Sequence, residues 1–116
     1  MRQTISSGSV KAIFLNREEA LKRLNEVSGE AMAAFPQINE IRLFGSLAKG
    51  EETGLSDMDI FIFAESEKRN PLERMRPYFA FFSERLDMAI DMIVATLAEK
   101  EHFEELLKES VLIGKR

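Results

Sequence analysis

Gly45-Ser46, ten intervening residues, and then Asp57-Met58-Asp59-Ile60-Phe61-Ile62-Phe63-Ala64 form the stretch whose reading decides the fold. Met58 to Ala64 is the clearest strand in the sequence. A strand turns successive side chains to opposite faces, so Asp57 and Asp59 share one face, Phe61 and Phe63 continue it, and Met58, Ile60 and Ile62 cover the other. A strand apolar on both sides beyond its first residues belongs in the middle of a sheet, with its acidic start at the rim. Two carboxylates held together repel, and without a counter-charge one tends to keep a proton. Mg2+ removes that repulsion: it takes a few carboxylate oxygens and leaves its other positions to water and substrate phosphates. The Gly-Ser corner suits the other half of such a site. Glycine lets backbone approach a phosphate, backbone N–H groups at a helix start point toward an anion, and the Ser46 hydroxyl adds a hydrogen bond. An anion cradle beside metal carboxylates points to a nucleoside triphosphate.

Working outward, Ile38 to Phe44 reads as the strand that delivers the chain to the corner. Leu47 to Lys49 suits one helical turn, and Gly50 to Gly54 suits a loop. Upstream, Asn16 and Glu19 have capping spacing, and Leu21, Leu24, Val27, Ala31 and Phe35 recur at helical period, with the helix ending before Pro36. Residues 1–15 are weakly patterned and read as a flexible lead-in. Downstream, Asn70, Pro71 and Glu73 signal a helix start, and Leu72, Met75, Phe79, Phe82 and Leu86 form its stripe, with Pro77 a point where it could divide. Met88 to Ala95 is a third strand. Thr96 and Glu99 form a capping box for a helix through Lys108 with Leu97, Phe103, Leu106 and Leu107 on its apolar side, and Val111 to Ile113 is a short extended tail. The expected architecture is α/β: a small mixed sheet flanked by helices.

The 116 residues suit one domain with a single core, spanning 1–116. Apolar residues at 45% and charged residues at 31% are ordinary for a globular protein. The formal net charge of −4 lacks the basic footprint of non-specific nucleic-acid binders, so a long nucleic acid is not expected. With no cysteine, disulfides, thiolate metal sites and cysteine nucleophiles are excluded. No apolar run approaches a membrane span and no secretory pattern opens the chain, so no membrane is expected and the expected location is the cytoplasm.

Two metal ions are commonly used to stabilise the attacking and leaving oxygens in phosphoryl transfer, and a third acid on the neighbouring strand would complete a site for them. Asp91, inside Ile90-Asp91-Met92-Ile93-Val94, is the candidate, because an acid amid apolar neighbours needs a reason and is read as buried there. Asp87, at the entrance of that strand, is the rival. With these residues in place the chain resembles the minimal nucleotidyltransferases of the DNA polymerase β superfamily, from roughly Ile38 onward. The resemblance implies a polymerase β-like fold, ATP as substrate, and Mg2+, two ions in all. It assigns Asp57, Asp59 and Asp91 as metal ligands and catalytic residues, with Asp91 helping to deprotonate the attacking hydroxyl. It assigns Gly45, Ser46 and Lys49 to the triphosphate. Lys49 stands where the family commonly has arginine, which keeps the charge and loses a bidentate grip. The resemblance further implies a role as the antitoxin of a toxin–antitoxin pair, acting on a HEPN-domain partner by transfer of AMP to a hydroxyl.

Other residues carry weaker signals. Arg42 reads as a surface strand residue and His102 as a helix-surface histidine. Tyr78 and Phe81 fall outside the main helical stripe and, if exposed, would mark a dimer or partner surface. The rival functions are a non-catalytic protein that neutralises a partner by binding alone, and an enzyme modifying a small alcohol, which would need a homodimer to complete its pocket.

Overall fold

The structure is a computed structural model, and it describes residues 17–45, 48, 57–86 and 88–116. Helix α1 (Arg17–Ala34) opens with Glu18 and Glu19, acids that complement the positive end of the helix dipole. Its expected cap, Asn16, and the lead-in over 1–15 lie outside the described residues. Ala20, Leu24, Val27 and Ala31, three or four positions apart, form its buried stripe. The helix stops at Ala34 because Phe35 precedes Pro36, and a residue before proline is pushed out of helical conformation.

β1 (Ile38–Phe44), β2 (Met58–Ala64), β3 (Ile90–Ala95) and β4 (Val111–Lys115) form one sheet in the order β3-β2-β1-β4. β1 is antiparallel to β2 and β4, while β2 and β3 are parallel, so the sheet is mixed. β2 lies inside it, as its two apolar faces require. A parallel pair needs a long crossover, here α2 (Pro71–Arg85). The Asn70 side chain caps α2 by accepting from the backbone N–H groups of Leu72 and Glu73, with proline in the first turn.

One face of the sheet bears Ile41, Leu43, Ile60, Ile62, Met92 and Val94 and joins the core residues of α1 and α2. The other bears Phe44, Phe61, Phe63 and Ala95. It is covered by Phe103 of a 3-10 helix (Leu97–Phe103) and by Leu106 and Leu107 of α3 (Glu104–Lys108).

Several local expectations change. The segment 97–108 begins as a 3-10 helix, although Glu99 does accept from the Thr96 backbone N–H at 2.9 Å. α2 is continuous through Pro77, which is exposed. Leu72 is 63% exposed and lies off the buried stripe, whose buried members are Tyr78 and Phe82. The expected tail is strand β4, and the third strand starts at Ile90. No helix among the described residues is long and apolar enough to cross a membrane.

Candidate functional site

Three neighbouring strands end at one rim of the sheet. β1 runs out at Phe44 and hands over to Gly45, while Asp59 is the second residue of β2 and Asp91 the second of β3. In register, Phe44 faces Asp59 across the antiparallel pair and Asp59 faces Asp91 across the parallel one. Gly45 has φ +80, the left-handed region that favours glycine, and a Cβ built there would overlap Asp59 Oδ2 and stand 3.0 Å from Cγ. The backbone of the corner thus lies directly on the central carboxylate.

Asp59 is half-buried, with Asp57 and Asp91 exposed on either side. Burial, the charges of Asp91 and Asp57, and a hydrogen bond with Asp91 together raise the Asp59 carboxyl above its ordinary range. Hard carboxylate oxygens gathered at one rim fit a divalent cation such as Mg2+, which would offset their mutual repulsion. Among the described residues no three acidic or histidine side chains already enclose a metal position.

Asp57, Asp59 and Asp91 are therefore brought together, but Asp91 is exposed and not buried as expected, because β3 is an edge strand. Ser46, Lys49 and Asp87 lie outside the described residues, as does the proposed turn over 47–49 apart from Ala48, which is helical. His102 is exposed, as read. Tyr78 is buried and Phe81 half-buried, both edge-on to Phe35 at 5.0 and 5.4 Å, so neither forms an exposed patch.

Sequence reasoning passed over Glu40. It is 1% exposed on the sheet face that carries Asp59, and its carboxylate accepts from Arg42 Nε and, at 3.1 Å, from Lys100 Nζ. Arg42 Nη1 also donates to Ser110 Oγ at 3.0 Å, so Arg42 is engaged within the sheet and is not a free surface residue. Glu40 lies in Asn39-Glu40-Ile41-Arg42, without the flanking apolar pair that singled out Asp91, so no local signal marked it. An open groove of about 680 Å³, lined by Leu97, Lys100, Glu101, Leu107 and Lys108 among others, lies on the 3-10 helix and α3 and includes none of the three aspartates.

Residues 25–116 match the family described as Polymerase beta, Nucleotidyltransferase. The chain belongs to that family. A crystal structure from Sulfolobus solfataricus, provisionally described as a nucleotidyltransferase, shares 30% identity with this nucleotidyltransferase domain, over 86% of this chain and 84% of its own, at a TM-score of 0.66. A toxin–antitoxin structure containing AMP-PNP resembles it at 18% identity, over 79% of this chain and 73% of its own, with a TM-score of 0.56, a likeness of fold. No curated protein sequence matches the nucleotidyltransferase domain.

Proposed function

We infer that this nucleotidyltransferase domain transfers a nucleoside monophosphate, AMP from ATP, to a hydroxyl on a partner protein and releases pyrophosphate, in the manner of an antitoxin acting on a HEPN-domain toxin. The observation that carries the reading is the meeting of Asp59 and Asp91 in register, with Asp57 beside them, against the left-handed backbone of Gly45. Family membership supports the reaction class. The likeness to a toxin–antitoxin structure with AMP-PNP motivates the choice of nucleotide and partner.

Asp57, Asp59 and Asp91 would hold Mg2+, two ions in the full reading, whose chemistry here is to neutralise the triphosphate and the departing pyrophosphate. The Gly45 backbone, with Ser46 and Lys49, would position the triphosphate so that the α-phosphorus faces Asp91. The acceptor oxygen forms a bond to the α-phosphorus as its proton passes to the Asp91 carboxylate. The bond to the bridging oxygen breaks, and pyrophosphate leaves with the electron pair. Asp91 suits the part of base because it is exposed to an incoming acceptor, whereas Asp59 is not fully open.

ATP labelled at the α-phosphate, Mg2+ and a HEPN-domain partner protein provide the test. Label should reach the partner with the wild type and fall by about a hundredfold or more with Asp59→Asn. Full labelling by that variant would defeat the assignment. Absence of any labelling, together with neutralisation of the partner by the Asp59 variant, would establish the binding-only alternative.

A further inference from the structure

The corner has no slack between Gly45 and Asp59, since not even a methyl group fits between them. Their spacing is set where Phe44 and Asp59 face each other across the strands, and Phe44 is held by a run of aromatic rings. Phe44 lies edge-on to Phe61 at 6.2 Å, and Phe61 lies edge-on to Phe103 at 4.8 Å and tilted against Phe63 at 4.8 Å. Phe61 and Phe63 are fully buried. Three of the four rings belong to β1 and β2; Phe103 alone arrives from the 3-10 helix that covers this face. That helix is pinned by Lys100, which reaches Glu40 Oε1 at 3.1 Å and stands 5.4 Å from the centre of the Phe63 ring.

Edge-to-face rings have a preferred orientation, and a close-packed interior passes a change of volume on as displacement. A gap at Phe103 would let Phe61 turn, Phe44 follow, and the Gly45 backbone shift against Asp59. We propose that Phe103 is a positioning residue for the carboxylate corner, fixing through Phe61 and Phe44 the spacing between the Gly45 backbone and Asp59. The proposal rests on reading the corner as a metal and nucleotide site.

The full chain is tested as wild type, Phe103→Leu and Phe103→Met, with Phe82→Leu as a comparison that removes an equally large ring from the core on the opposite face. Mn2+ affinity is read by electron paramagnetic resonance, and the Gly45 amide and Asp59 carboxyl resonances by NMR, all well below each Tm and without nucleotide or partner. Phe103→Leu should weaken Mn2+ binding roughly tenfold and move both resonances. Phe103→Met should do the same to a smaller degree, and it decides the matter if the leucine variant does not fold. Phe82→Leu, at a similar or larger loss of Tm, should leave Mn2+ affinity within about twofold and both resonances in place. Wild-type affinity with unmoved resonances in the Phe103 variants, or equal changes in Phe82→Leu, would overturn the proposal. If the wild type binds no Mn2+, the functional reading fails, and the two resonances alone decide the role of Phe103.

Discussion

Gly45 meets two separate demands, a positive φ and the contact with Asp59, and the two can be separated by mutation. Gly45→Ala should cost about 2 kcal/mol or more in urea unfolding, from left-handed strain and overlap together. Adding Asp59→Ala should recover the overlap and leave the strain, so the two changes will be less than additive. Asp59 itself gives a second prediction. Its folded pKa is raised from an ordinary 3.8, so its contribution to stability is fully present below that value and is lost as pH rises through the folded value. Without divalent cations, Asp59→Asn should therefore melt higher than wild type at neutral pH, with the difference shrinking toward pH 3.8. Added Mg2+ should raise the Tm of the wild type and not that of the variant, a contrast that thermal scans would record.

Between elements, the Glu40 cluster joins β1 to the 3-10 helix through Lys100 and, by way of Arg42 and Ser110, to the start of β4. Burial alone would raise the Glu40 carboxyl, but hydrogen bonds and charge from Arg42 and Lys100 outweigh it and hold the group below its ordinary 4.5. Its contribution to stability is thus present above pH 4.5 and lost as pH falls through the depressed value. Lys100→Met should cost about 1–3 kcal/mol at neutral pH and move acid unfolding to higher pH, measured by circular dichroism against pH. Glu40 also shows where sequence reading stops. β2 and the Asp57-Asp59 pair were legible because the two-residue period fixes both faces of a strand without reference to the rest of the molecule. Asp91, between Ile90 and Met92, reads as the more buried acid and Glu40, between Asn39 and Ile41, as the less, yet the outcomes are reversed: Glu40 is on an internal strand facing two cations, Asp91 on an edge strand facing water. Edge or interior is a property of sheet order, which local pattern does not contain. Likewise β4, five residues including Gly114, is a strand because β1 pairs with it from far along the chain. The 3-10 helix shares its start signal and its apolar spacing with an ordinary helix, so pattern alone could not separate the two.

At the scale of the whole molecule, β4 carries Arg116 back to the first helix. Its backbone N–H donates to the Asn39 carbonyl, Nε donates to that of Ile38 at 2.6 Å, and Nη2 donates to those of Phe35 and Met32. α1 has no basic residue in its last turn, so this guanidinium supplies from a distance the positive charge that the end of a helix favours. Arg116→Ala should lower stability by about 1–2 kcal/mol and speed hydrogen exchange at the β4 amides before those of β2.

The order of the strands also governs when the candidate site comes together. Gly45 and Asp59 meet through the antiparallel pairing of β1 with β2, but Asp91 joins them only through the parallel pairing of β2 with β3, which waits for α2 to cross between them. A nascent polypeptide whose third strand is still inside the ribosome therefore holds Gly45 and Asp59 and lacks Asp91. Any fragment ending short of that strand is born without the third carboxylate.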